Sequence, residues 1–102
     1  MTDTTLTTYG IPCVPVFSRY RDNDRIAILL KTPQGEPVAT ATINQPDFAL
    51  KPDQVLIKNY AENETVLDAL VNAGIIEDTG ITVPIGHAQA NVCRLLVTPT
   101  LH

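Results

Sequence analysis

The residues of this sequence that could do chemistry are concentrated in one acidic stretch. Between positions 59 and 80 the chain carries no Lys or Arg and five carboxylates, which are Glu62, Glu64, Asp68, Glu77 and Asp78. Carboxylates in the first turn of a helix complement the helix dipole, so part of this charge suits a structural role. The functional alternative is a negative patch beside Tyr60 that docks on a partner protein with a basic surface. The candidate protein-binding residues are therefore Tyr60, Glu62, Glu64 and Asp68.

Other catalytic residue types occur singly. Ser18 is the only serine and lacks the Gly-x-Ser-x-Gly elbow, and His87 is the only internal histidine. The spacings for phosphate loops, zinc sites and calcium loops are absent from the sequence. We therefore expect no catalytic residue, no cofactor and no metal. An alternative is a small hydrolase or ligand-binding protein whose pocket lies between sheet and helix, with Tyr60, Glu62 and His87 around it.

Charge and composition narrow the classes further. The chain has 102 residues, 44% of them hydrophobic, and a net charge of -4, which predicts one folded domain and no nucleic-acid partner. Basic and aromatic residues do cluster near the N-terminus, but acids are interleaved and should neutralise them: Arg19, Tyr20, Arg21, Asp22, Asp24 and Arg25. Without a signal-peptide pattern or a long apolar run, we expect a cytoplasmic protein with no membrane contact.

Two cysteines lie inside apolar runs near opposite ends of the chain. The runs are Ile11–Phe17 around Cys13 and Val92–Val97 around Cys93. Free cysteine behaves as a small hydrophobic residue, so two buried thiols are the favoured interpretation. A disulfide between them is the alternative, because the two runs could form neighbouring strands.

The elements that must position these residues follow from periodicity and turn signals. Alternation predicts strands, and the 3.6-residue stripe of Val66, Leu67, Leu70 and Ala73 predicts a helix over 61–73, capped by Asn59 or Asn63 and ended by Gly74. The strands are predicted at 11–19, 25–31, 37–43, 54–58, 81–85 and 88–97. Pro12 and Pro15 place the first strand at an edge or a bulge. Turns are expected at 21–25, 32–35, 77–80 and 86–87, the last of type II′.

The predicted fold is α+β, in the order β-β-β-β-α-β-β. It is a mainly antiparallel twisted sheet of five to six strands with one helix packed on a face. We expect a single domain over 1–102, with a disordered tail at 1–9 and a globular core at 10–97. What covers the second face of the sheet is left open.

Three segments carry a resemblance to a known family: Ile57–Glu64, Leu67–Gly80 and Val92–Leu96. Together they resemble a family of small uncharacterised bacterial proteins, a domain of unknown function found on plasmids, conjugative elements and phages. The similarity runs from about Pro37 to Leu96. It implies a mobile-element or phage accessory protein and brings no catalytic residues with it.

These observations favour a non-enzymatic protein-interaction module. An apolar sheet face left uncovered by the helix would mark a partner interface or a homodimer. The mobile-element context suggests a second hypothesis, an inhibitor of a host defence system of the anti-CRISPR or anti-restriction type. Such small acidic proteins can occupy a basic groove.

Overall fold

The computed structural model describes residues 6–8, 10–45, 48–58, 64–86 and 88–97. Over these residues the chain forms one helix and seven strands, in the order β1 (Leu6–Thr8), β2 (Ile11–Arg19), β3 (Ile26–Lys31), β4 (Pro37–Thr40), β5 (Gln54–Lys58), α1 (Glu64–Asn72), β6 (Ile76–Ile85) and β7 (Ala88–Leu95). The α+β class is confirmed.

The strands divide between two antiparallel sheets. The first has the order β1-β2-β3-β4 and the second the order β5-β7-β6. Helix α1 contacts β1 of the first sheet and β5 and β6 of the second. The antiparallel pairing and the single packed helix follow the prediction. The strands are divided between two sheets that both contact this helix, where one sheet was expected.

The two sheets are joined where the chain leaves β4. The Ala41 amide donates to the Ile28 carbonyl of β3 at 2.9 Å, while the Ala41 carbonyl accepts from the Lys58 amide of β5 at 3.0 Å. One residue therefore hydrogen-bonds to both sheets. The predicted strand 37–43 is divided at this point, because its last residues turn from β3 to β5.

The two prolines of β2 are tolerated because the strand changes partner between them. Residues 11–13 of β2, which include Pro12, pair with β1, and residues 14–19, which include Pro15, pair with β3. Each proline thus lies where β2 is paired on one side only, and the missing N–H faces no second strand there. The expected edge character holds locally on each half of β2.

The expected tail at 1–9 needs a correction over its last residues. Leu6–Thr8 form β1, and Leu6 is 5% exposed, opposite Cys13 of β2. The Thr8 hydroxyl hydrogen-bonds the Thr65 hydroxyl of α1 at 3.2 Å. The physical reason is burial of Leu6 in the main core, which periodicity could not reveal in a stretch of threonines.

Helix α1 ends as the sequence predicts. Gly74 has φ +75°, the Gly74 amide donates to the Val71 carbonyl at 3.0 Å, and the Ile75 amide donates to the Leu70 carbonyl at 3.1 Å. These two bonds are the Schellman arrangement, which satisfies the last helical carbonyls. The predicted caps Asn59 and Asn63 lie outside the described residues.

Two apolar clusters lie on opposite faces of the second sheet. The main cluster fills the space between both sheets and α1, and it includes Cys13, Phe17, Ile28, Leu30, Val55, Ile57, Val66, Leu70, Ile76 and Cys93. The smaller cluster covers the other face and consists of Leu56, Val83, Ala90 and Val92, with Ile43, Phe48, Leu50 and Ile85 packed against it. The second face is therefore covered partly by the loop that precedes β5. Both cysteines are free and buried, as favoured from the sequence.

The predicted turn at 77–80 is instead a bulge inside β6. Asp78 lies opposite Cys93 and Ile81 lies opposite Val92, so Thr79 and Gly80 are extra residues on one strand. Gly80 has φ +83° and its amide donates to Asp78 Oδ1 at 3.0 Å. The local turn chemistry is present, but the strand continues through it because residues on both sides pair with β7.

The final hairpin agrees with the prediction in its loop length. Ile85 pairs with Ala88, which leaves a two-residue loop between β6 and β7. Gly86 in that loop has φ +61°, as the primed hairpin turns require at this position. His87 lies outside the described residues.

Candidate protein-binding surface

The structure describes only part of the predicted acidic patch. Tyr60 and Glu62 lie outside the described residues, and Glu64 begins α1 with its side chain likewise outside the description. Asp68 is exposed on α1. Within the described part of the chain, no hydrogen bond or ion pair engages its carboxylate. Asp68 is thus the described carboxylate of this patch that remains available to a partner.

The two remaining carboxylates of the acidic stretch are occupied within the fold. Glu77 Oε1 forms an ion pair with Arg94 Nη2 at 3.0 Å and also accepts from Arg94 Nε at 3.2 Å. Asp78 Oδ2 accepts from Asn91 Nδ2 at 3.0 Å. A stretch without a basic residue in sequence therefore acquires one in space, and its negative charge is smaller at β6 than the sequence implies.

The basic cluster near the N-terminus has a structural role. Arg25 Nη1 donates to the Gln45 carbonyl at 2.8 Å and Arg25 Nη2 donates to the Phe48 carbonyl. Arg19 Nη1 donates to the Asp24 carbonyl at 2.7 Å. Through these hydrogen bonds to backbone carbonyls, the two guanidinium groups fasten the β2–β3 hairpin and the loop before β5.

The two thiols are protonated and weakly nucleophilic at neutral pH. Burial raises the pKa of Cys13 above its ordinary value. Burial, together with the nearby Asp78 carboxylate, raises the pKa of Cys93 to about 12. Because the thiolate is the nucleophilic form, neither sulfur is poised for attack at neutral pH.

Three further expectations concern a metal, a pocket and the membrane. Among the described ranges, no group of three His, Cys, Asp or Glu side chains could hold a metal ion. The alternative pocket was placed around Tyr60, Glu62 and His87, and all three lie outside the described residues. No helix in the described part of the chain is long and apolar enough to cross a membrane.

A different surface emerges at the C-terminal end of α1. Of the five large apolar side chains exposed among the described residues, Val71 (37%), Leu96 (46%) and Val97 (37%) belong to this region. The Leu96 amide donates to the Ile75 carbonyl at 2.9 Å, directly after the Schellman bonds that close the helix. The segment after β7 therefore continues the β6–β7 ladder beside Ile75, the residue that follows Gly74 at the end of α1. We call Asp68, Val71, Leu96 and Val97 the helix-end surface.

The electrostatics of the helix-end surface are negative. The last turn of α1 carries no basic residue, so the partial negative charge of the helix end is not compensated there. Asp68 is one turn before Val71, and residues three apart lie on the same side of a helix. The surface therefore combines an apolar centre with a carboxylate at its margin.

Sequence reasoning missed the apolar part of this surface, although a signal was present. Val71 lies one turn after Leu67, at the margin of the buried stripe of Val66, Leu67 and Leu70, which marks it as an apolar residue at the edge of the buried face. Leu96 and Val97 extend an apolar run past the end of β7, and from the sequence they read as part of the strand.

Comparisons with known proteins leave the family undecided. No protein-family model, no curated protein and no solved structure matches this chain.

Proposed function

We propose that the protein is a non-enzymatic protein-interaction module that binds its partner through the helix-end surface. The observation that supports this best is the exposure of three apolar side chains, Val71 on α1 and Leu96 and Val97 after β7, in two segments that the backbone bond from Leu96 to Ile75 brings near each other. Single exposed apolar residues are common on protein surfaces, whereas a group of them marks an interaction site.

The chemistry of the surface defines the kind of partner. Burial of the apolar centre supplies a non-directional contribution to binding, and the margin favours a partner with Lys or Arg opposite Asp68. The net charge of -4 acts in the same direction during encounter. A partner with an apolar contact patch bordered by basic residues fits both features. The resemblance to mobile-element proteins suggests that such a partner is a bacterial protein.

The acidic residues expected from the sequence extend the same proposal. Tyr60, Glu62 and Glu64 were expected to bind a basic partner, and Glu64 and Asp68 are four positions apart on one helix. Positions four apart share a helix face, so an acidic margin along α1 leads towards the apolar centre. The proposed interface thus includes Asp68 of α1 together with the apolar residues of the helix-end surface.

The test compares partner capture by three forms of the chain. The binding variant is Val71→Gln with Leu96→Gln, which removes the apolar centre without adding charge. The matched control is Ile11→Gln, because Ile11 is 40% exposed and lies opposite Thr8, which contacts the first turn of α1. The control therefore makes the same chemical change at the far end of the helix.

The proposal predicts that proteins captured by the wild type are also captured by the Ile11 variant and are lost with the double variant. Asp68→Lys should weaken the same capture in proportion to the basic character of the partner and with a reduced dependence on salt. An identical set of partners for wild type and double variant, with both forms folded by circular dichroism, would remove the helix-end surface from consideration.

A further inference from the structure

The outer side of β6 is a free sheet edge within the described part of the chain. β6 is the last strand in the order β5-β7-β6, and no described strand pairs with its far side. Such an edge presents unpaired amide and carbonyl groups and can pair with a strand of another molecule. The middle of β6 is suited to pairing, because Ile81, Thr82 and Val83 are β-branched and Ile81 is 54% exposed.

The hairpin geometry shows which backbone groups point outwards. Ile85 and Ala88 flank a two-residue loop, so they exchange both backbone hydrogen bonds across the hairpin. Along an antiparallel ladder these bonded pairs alternate with non-bonded pairs. The register is continuous from Ile85 back to Ile81. The backbone groups of Pro84 and Thr82 therefore face away from β7, towards the free edge.

Between Gly80 and Pro84, most outward amide donors of this edge are removed or occupied. Pro84 has no N–H at the outward position. At the bulge, the Gly80 amide donates to Asp78 Oδ1 at 3.0 Å, whereas the Ile81 amide is on the side that faces β7. Between residues 80 and 84, Thr82 alone offers an outward amide that the fold has not used.

We infer that Pro84 and the Asp78–Gly80 bulge keep the β6 edge from pairing with β6 of a second copy of this chain. A two-fold antiparallel pairing centred on Thr82 would form one reciprocal pair of backbone hydrogen bonds and then meet Pro84 on one side and the bulge on the other. An interface held by one such pair of hydrogen bonds would be small compared with the roughly 1,600 Å² buried in a standard stable interface. This inference is independent of the proposed function, since β6 and the helix-end surface share no residue.

The experiment restores the missing donor and measures the mass of the particle in solution. Pro84→Thr adds one outward amide per chain and makes residues 81–85 a continuous β-branched stretch. The matched control is Gln89→Thr, because Gln89 is exposed directly opposite Pro84 on β7, the central strand of this sheet. Both variants gain the same β-forming side chain, and only one gains an edge amide.

Light scattering after size exclusion should give 11.1 kDa for the wild type and the Gln89 variant and a particle of twice that mass or larger for Pro84→Thr. Pro84→Ala, which restores the amide without a branched side chain, should show the same change at higher protein concentration. Hydrogen exchange at the Thr82 amide should slow in the associated variants and not in the control.

Two results would overturn the inference. The first is a folded Pro84→Thr and a folded Pro84→Ala that both keep the wild-type mass over the whole concentration range. The second is a wild-type dimer that Thr82→Pro dissociates, because the edge would then already be in use for self-association.

Discussion

Replacing Thr42 with Val should destabilise the protein through the junction of its two sheets. Thr42 is 1% exposed and lies where the chain turns from β3 to β5. Because the Ala41 carbonyl bonds to β5, it is not available to the Ile28 amide, and Thr42 Oγ1 accepts from that amide at 3.2 Å. The same hydroxyl hydrogen-bonds the Tyr20 hydroxyl at 2.9 Å. One side-chain oxygen therefore replaces a missing backbone acceptor.

The magnitude follows from these contacts. Leaving the buried Ile28 amide without an acceptor costs about 1–3 kcal/mol, and losing the bond to the half-buried Tyr20 hydroxyl costs about 0.5–1.5 kcal/mol. The additional buried methyl group of Val returns roughly 0.8 kcal/mol. The net loss in the free energy of unfolding is about 2 kcal/mol. For a domain of this size that corresponds to a fall in Tm of roughly 8–16 °C.

Urea unfolding followed by circular dichroism measures this loss. Tyr20→Phe removes the outer bond alone and should cost about 0.5–1.5 kcal/mol. Thr40→Val makes the same chemical change at an exposed position of β4 and should stay within about 0.5 kcal/mol of the wild type. The reasoning is refuted if Thr42→Val unfolds with the wild-type midpoint, or if Tyr20→Phe costs as much as Thr42→Val.

Three more predictions test other parts of the fold. Arg25→Met keeps the side-chain stem but leaves two loop carbonyls without their guanidinium donor. Thermal unfolding should therefore show a loss of about 1.5–3 kcal/mol in the free energy of unfolding. The same change at exposed Arg21 should have little effect. Gly74→Ala should cost about 1–2 kcal/mol because φ is +75° and no steric clash adds to it, and Gly74→Asn should cost less. The pKa of Cys93 is raised to about 12 in the folded chain, so its contribution to stability is complete below about pH 8.5, the ordinary thiol value, and is lost as pH rises towards 12. The difference between the urea midpoints of wild type and Cys93→Ala should therefore be smaller at pH 10 than at pH 8. An equal difference at the two pH values would contradict this.

Features that depend on a few adjacent residues were predictable from the sequence. The 32–35 turn closes with the Gly35 amide on the Thr32 carbonyl at 2.8 Å, and Gly74 ends the helix as expected. In both cases a residue with a particular backbone freedom stands at the position that needs it, so no distant partner has to be known.

The same local logic is insufficient where distant partners decide the outcome. Asp78, Thr79 and Gly80 satisfy one another's backbone equally well in a turn or in a bulge, and the pairing of Ile76 and Ile81 with β7 selects the bulge. The division of 37–43 between two sheets depends likewise on β5, which follows a long loop. Periodicity identifies a strand but does not choose its neighbour.

At the candidate site, the sequence likewise could not predict which charged residues pair with distant partners. A count of acids and bases along the chain could not anticipate that Arg94 would neutralise Glu77 or that Asp78 would serve the bulge. Several charged groups form hydrogen bonds or ion pairs that fasten irregular segments in this way, and Arg25 is one of them. Asp68 has no such internal role within the described residues, and it lies one turn from an exposed Val71. Its charge therefore stabilises nothing inside the described fold, and the apolar side chains of the helix-end surface are left uncovered. Selection for binding rather than for stability would act on such residues. The helix-end surface is therefore the first target for mutagenesis, and the acidic side of α1 is the second.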